Sequence, residues 1–231
     1  MASGYIPEKI IHYKLQFAIL IFLIFLTGYI VLPNIIETDS DQSNELNNNT
    51  VMDIDGNIYH VIKIGDQTWM AENLRTTRFN DGETIPYVTG DNDWSNLRSP
   101  GFCWPKNDES NREDYGALYN WYAVDTGKLA LKGWHIPTIE EWEILADNLG
   151  GSSNAGEKLK EIGFADSLAG DRIYTGEYVY VDEVGKYWAS SDGGWHPSDA
   201  WYRSIALLEN MLGLSSHPKM DGHSVRCIKD S

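Results

Sequence analysis

Few residues in this chain have the types and spacing that chemistry requires. Cys103 and Cys227 are the only thiols. With no C-x-x-C pair they offer little to redox or copper chemistry. Ser190, His135 and Asp192 contain the members of a nucleophilic triad. No nucleophile motif marks the serine, and any chain of this size holds such a set. His135 follows Trp134 just ahead of a helix and reads as a structural histidine. His196, His217 and His223 lack the spacing of a zinc site. No catalytic residue and no metal ligand are assigned on this pattern, and the chain is read as a non-enzyme. Binding has better material. Gly193-Gly194-Trp195-His196-Pro197-Ser198-Asp199 is a loop sequence carrying a large aromatic. Trp faces stack on sugar rings or fill partner pockets. Trp195, His196, Trp94 and Trp104 are the candidate ligand-binding residues. The competing reading of Trp195 is a loop anchor tucked under its own backbone.

Carboxylates are abundant, and some are clustered. Asp53-x-Asp55-Gly56-Asn57 looks like part of a calcium loop. The twelfth position counted from Asp53 is Ile64, however, and strands rather than helices flank the segment. A tight turn is the better reading. Asp91-Asn92-Asp93 and Asn107-Asp108-Glu109-Ser110-Asn111 are further clusters that Ca²⁺ would suit, with solvated turns preferred. No cofactor is expected. The formal net charge of −16 argues against nucleic acid, which needs clustered Lys and Arg.

The elements that would position these residues are short. Thr138 and Glu141 make a T-x-x-E capping box, and Ile139, Trp142, Leu145, Ala146 and Leu149 recur at helical spacing before Gly150-Gly151. Gly156–Gly163 reads as a short turn of helix. Met52–Met70 reads as two strands around the turns Asp55-Gly56 and Gly65-Asp66. Tyr178–Asp182, Lys186–Ser190, Asp199–Ala206 and Ser224–Ile228 are further strand candidates, and Gly116–Val124 is a short helix or a buried bend. Tyr87–Asp114 is a long irregular region with Trp94, Phe102 and Trp104 as anchors. Nine Trp, thirteen Tyr and twenty-one Gly fit an irregular domain whose loops are pinned by large side chains. A Cys103–Cys227 disulfide is one possibility and two buried thiols are the other. A bridge would close a long loop, worth about 4–5 kcal/mol on the loop-entropy model.

The N-terminal part differs. Residues 1–14 are short and polar. Residues 15–36 contain no charge and are long enough to span a bilayer as a helix contacting membrane lipid. No small-residue cleavage site follows, so an uncleaved signal anchor is favoured over a signal peptide. Lys9 and Lys14 precede the run and acids follow it, which orients the N-terminus inward. Residues 37–51 form an acidic tether. The expected organisation is a cytoplasmic segment 1–14, an anchor 15–36, a tether 37–51 and a folded domain 52–231.

Several segments together resemble the Fibrobacter succinogenes major paralogous domain. They are Asp53–Tyr59, Ile64–Arg75, Phe102-Cys103-Trp104, Tyr115–Val124, Gly133–Trp142, Tyr187–Ser191, Ala200–Arg203 and Gly222–Cys227. The resemblance implies a cell-envelope domain with a C-type-lectin-like α+β fold: small antiparallel sheets, two short helices and long loops. It implies that Asn57–Ile64 lies beside Ser224–Ile228. It supplies no reaction. The Glu-Pro-Asn and Trp-Asn-Asp motifs of calcium-dependent sugar binding do not occur here. The family's usual cysteine in a Leu-Cys-Pro-x-Gly-Trp segment is also missing, since this chain has Leu129-Ala130-Leu131-Lys132-Gly133-Trp134.

The resulting expectation is a single-pass inner-membrane protein with its domain in the periplasm or extracytoplasmic space. It would act as an accessory or scaffold subunit with membrane or envelope protein partners. A glycan-binding module is the alternative.

Overall fold

The Asp53 carboxylate turns the chain. Its Oδ1 accepts from the N–H groups of Asp55 and Asn57, each at 2.9 Å, and Gly56 takes the left-handed conformation (φ +85°) that the turn needs. Strand β1 (Thr50–Met52) thereby pairs antiparallel with β2 (Ile58–Ile64). A second tight turn leads to β3 (Gln67–Met70). The structure, a computed structural model, describes residues 49–231. The polar segment 1–14, the apolar run 15–36 and nearly all of the tether lie outside the described residues. Among the described residues no helix is long and apolar enough to cross a membrane. Strand β1 begins ahead of the expected boundary at Met52, because Val51 packs onto the core.

The chain continues through α1 (Asp91–Ser95), β4 (Phe102–Cys103), two 3-10 turns, α2 (Arg112–Tyr115), β5 (Leu118–Asn120) and α3 (Trp121–Asp125). Then come β6 (Trp134–His135), α4 (Ile139–Asn148) and α5 (Ser152–Glu161). The remainder is β7 (Asp171–Arg172), β8 (Tyr178–Val179), β9 (Val184–Trp188), β10 (Asp199–Ala206), β11 (Leu212–Pro218), β12 (Gly222–His223) and β13 (Ile228–Lys229). Three sheets result, ordered β1-β2-β3-β13-β6, β11-β10-β9 and β4-β5-β12-β7-β8. Every strand pair within them is antiparallel, and the architecture is α+β.

Helix α4 forms as its sequence dictates. The Glu141 N–H donates to Thr138 Oγ1 (3.2 Å) and the Thr138 N–H donates to Glu141 Oε2 (2.8 Å), closing the capping box. Its buried face carries Trp142, Leu145 and Ala146 against Trp69, Phe164 and Tyr187. Trp142 and Trp69 have ring centroids 4.8 Å apart.

Five expectations change. The C-terminal strand lies beside β3 and β6, not beside Asn57–Ile64, because β1 already occupies the outer edge of β2. Residues 224–227 are mostly a buried crossing between sheets rather than a strand. Helix α5 starts directly after Gly151 and runs ten residues. At Gly156 it passes so close to the Met211 carbonyl that any Cβ would collide. Strand β11 was not anticipated. Gly213, two serines and Pro218 hide it in the sequence, and as an edge strand it tolerates them. Beyond β8, Tyr180 (φ 58°) and Asp182 (φ 69°) are left-handed and end the expected strand after two residues.

Short strands leave many loop carbonyls inside, and two arginines gather them. Arg226 is buried and donates to Asn73 Oδ1 (2.7 Å), the Phe164 carbonyl (2.7 Å) and the Ala71 carbonyl. Arg172 donates to the carbonyls of Val88 (2.6 Å), Thr89 (2.8 Å) and Gly176 (2.9 Å), and to Asp91 Oδ1 (2.9 Å). Its guanidinium lies 4.7 Å from the Trp94 ring. The long region 86–114 is thus ordered from outside itself. Arg226→Ala is expected to lose about 3–5 kcal/mol in urea unfolding, because several buried acceptors lose their donor at once. Arg226→Lys should rescue little, since one ammonium cannot fork across acceptors on two segments.

Candidate functional site

The loop between β9 and β10 carries the most exposed aromatic side chain of the described residues. Trp195 is 68% exposed. Its position is nevertheless fixed from below. The Trp195 N–H donates to Ser216 Oγ (2.9 Å), and the Ser216 hydroxyl contacts the buried Asp199 Oδ2 at 3.3 Å. Gly194 lies so close to Asp199 and Ser216 that a side chain there would clash. The Trp195 ring meets the Trp201 ring near edge-on, with centroids 5.2 Å apart. The anchor reading is therefore corrected: the backbone is held and the indole is displayed. His196 is also exposed, and beside the loop Lys219 Nζ pairs with Asp192 (3.0 Å) and lies 4.3 Å from the Trp121 ring centroid. At the opposite end of β10 and β11 the connecting turn exposes Leu208 (86%) and Met211.

The other two tryptophans are not on a binding surface. Trp94 is wholly buried with Cys103, Leu118 and Ala169, because α1 turns it inward under Arg172. Trp104 is buried against Phe102, ring centroids 5.2 Å apart. Both are corrected from candidate ligand contacts to loop anchors.

Of the two readings of the cysteines, the structure has the buried thiols and not the disulfide. Cys103 and Cys227 are free and buried, and they belong to different clusters. Burial pushes the Cys103 thiol up to about 11 and the Cys227 thiol up to about 12. Neither is a poised nucleophile.

His135 has both ring nitrogens engaged. Nδ1 is 2.7 Å from Asp230 Oδ1 and Nε2 is 2.8 Å from Glu141 Oε1. Burial opposes its charge, but hydrogen bonds to Asp230 and Glu141 outweigh that and raise its pKa. It ties β6, α4 and the C-terminal segment together and does not meet Ser190 in any hydrogen bond.

Asp53 and Asp55 are consumed internally. Asp53 Oδ2 accepts from the Tyr59 hydroxyl (2.6 Å) and Asn57 Nδ2 (2.8 Å). Asp55 accepts from Thr77 N (2.5 Å) and Arg78 Nε (2.5 Å). Asp53 serves the turn, as expected, and Asp55 ties that turn to residues 76–78.

A polar cluster that sequence spacing missed lies where β11 and β12 meet. His217, Asp221 and His223 each offer a ligand atom, all within 4.8 Å of one another. His223 is fully buried; its Nδ1 bonds the Gly222 carbonyl (3.1 Å) and its Nε2 has no partner. Burial, with Lys186 and His217 nearby, holds its pKa well below the ordinary 6.5, so the ring is neutral. His217 Nδ1 is 3.0 Å from Asp221 Oδ2 but out of line for a hydrogen bond, and Asp221 Oδ1 is unpaired. The H-x-x-x-D-x-H spacing was the available signal, and it matches no common motif.

A family model for the Fibrobacter succinogenes major domain matches residues 62–229. The chain belongs to this family. The match covers most of the described residues, from β2 to β13, and so includes the displayed tryptophan and the buried cluster alike. No curated protein and no solved structure matches the chain.

Two outcomes are expected of these side chains. Unfolding without reductant should release both thiols to alkylation, while the native chain should react slowly; a bridged species in the mass spectrum would contradict this. Folded His135 holds its proton more tightly than the unfolded chain does. Its contribution is complete below pH 6.5 and is lost as pH rises through the raised folded value. The ring is partly exposed, so the loss should be under about 1 kcal/mol. Urea unfolding across that window should show a decline that His135→Asn lacks.

Proposed function

We propose that this chain is a membrane-anchored, non-catalytic interaction domain outside the cytoplasm, an accessory or scaffold subunit of a cell-envelope protein complex. The observation that carries the reading is Trp195, a large aromatic kept in water on a backbone held by Ser216 and Asp199. Exposing an indole forgoes about 2–3 kcal/mol of burial, which a partner recovers. The exposed Leu208 and Met211 at the other end of the same sheet offer a second, separate apolar contact. The anchor is read from the charge-free run 15–36 and the acids that follow it. The fold is read as C-type-lectin-like, with the C-terminal strand β13 returning into the sheet that β1 to β3 begin. A second reading is a glycan-binding module. Asp192, His196 and Lys219 near Trp195 would bond sugar hydroxyls while the ring stacks on the sugar face.

Purification of the full chain in mild detergent should bring stoichiometric membrane or envelope proteins. Trp195→Ala and Leu208→Asp should each lower their recovery about tenfold or more. A chain that comes alone removes the scaffold reading. Glycan binding that Trp195→Ala abolishes would establish the second.

A further inference from the structure

The Pro218–Asp221 turn joins the three-stranded sheet to a five-stranded one, and it carries an unusual concentration of unsatisfied polar atoms. His217 Nδ1, Asp221 Oδ1 and His223 Nε2 are all buried without a hydrogen-bond partner. Asp171 Oδ1 is a fourth, close enough for the charges of His217 and Asp221 to act on it. Leaving such atoms bare gives up their hydration with nothing in return, so a native fold does not keep four in one region without reason.

The chemistry of these atoms says what they lack. Carboxylate oxygens only accept. His223 gives its one proton to the Gly222 carbonyl, so its Nε2 holds a lone pair. His217 Nε2 faces the Tyr202 hydroxyl at 3.3 Å; when it carries the ring proton, Nδ1 also presents a lone pair. A single water has two protons to donate and cannot serve all four. A cation can take several lone pairs at once. Charge points the same way. Asp171 and Asp221 are both buried, and Lys186 Nζ, 2.9 Å from Asp171 Oδ2, pairs with only that one. Asp221 has only the His217 ring beside it, Nδ1 to Oδ2 at 3.0 Å, and a bound cation would balance its buried carboxylate.

We propose that His217, Asp221 and His223 bind a divalent transition-metal ion, with Zn²⁺ the fitting choice for two imidazole nitrogens and a carboxylate oxygen. Hard cations such as Ca²⁺ and Mg²⁺ prefer all-oxygen sets and do not fit. Tetrahedral zinc bonds of about 2.0–2.2 Å put ligand atoms about 3.4 Å apart, so the widest present spacing of 4.8 Å must close by about 1.4 Å, which side-chain rotations supply. A water completes the shell. Asp221 and His223 are buried, His217 is partly exposed, and Trp188 covers His223 with ring centroids 4.1 Å apart. The site is therefore structural: the ion clamps the turn between β11 and β12 and so joins two sheets whose β12 link is two residues long.

The test uses the untagged full chain in mild detergent, stripped with chelator and titrated with Co²⁺. The expected result is about one Co²⁺ per chain with the intense visible band of tetrahedral coordination, displaced by Zn²⁺. Zn²⁺ at about a hundredfold excess over its Kd should raise Tm by roughly 5–10 °C, while Mg²⁺ and Ca²⁺ should not. Asp221→Asn and His223→Gln should lose the band, and His196→Gln, on the exposed loop, should keep it. The wild-type spectrum decides even if a variant fails to fold. No tetrahedral band and no Zn²⁺-dependent Tm shift in the wild-type chain would overturn the proposal, as would a band that disappears in His196→Gln.

Discussion

The fold depends on buried guanidinium groups that answer buried loop carbonyls. Much of the domain is irregular, and a loop that runs inside a protein must find donors for its backbone oxygens. Arg226 supplies them for the 70–73 segment and for Phe164, and Arg172 supplies them for Val88, Thr89 and Gly176. Both stack on aromatics, Arg226 4.3 Å from the Phe164 ring and Arg172 4.7 Å from the Trp94 ring. The fork geometry of arginine allows one side chain to fix two or three loop segments in register. Strands of two residues, such as β7, β12 and β13, persist because these side chains hold what the ladder cannot.

The aromatic content follows from the same constraint. Trp69, Trp142, Phe164 and Tyr187 pack as one cluster beneath α4, and the main core adds Trp104, Trp121 and Trp188. Large flat side chains fill the uneven space between short strands better than aliphatic ones do. Trp195 departs from this use. The hydrogen bonds of its loop go to the backbone, and the ring stays in water.

Strand β11 has two different faces because side chains alternate along a strand. Ser216 points toward the loop and holds Trp195. His217, its neighbour, points the other way, to Tyr202 and the His223–Asp221 cluster. The display loop and the buried cluster therefore share one strand and its β10 partner. Whatever stiffens the β11–β12 turn also stiffens the platform under the tryptophan.

The sequence alone determined the strongly local features. The Thr138–Glu141 box and the Trp142 face specify α4 because cap and periodicity lie within one segment. The Asp53–Asn57 turn, the Asp199–Ala206 strand and the family membership were legible for the same reason, short motifs in fixed order. Tertiary structure decided the rest. β11 has weak intrinsic strand character and exists because β10 offers it an edge. Trp94 and Trp195 are the same residue type in polar loops, yet one is buried under Arg172 and the other displayed, which depends on partners 78 and 21 positions away respectively. The free thiols and the His217–Asp221–His223 convergence likewise arise from how the sheets meet. Spacing along the chain carries no record of that meeting.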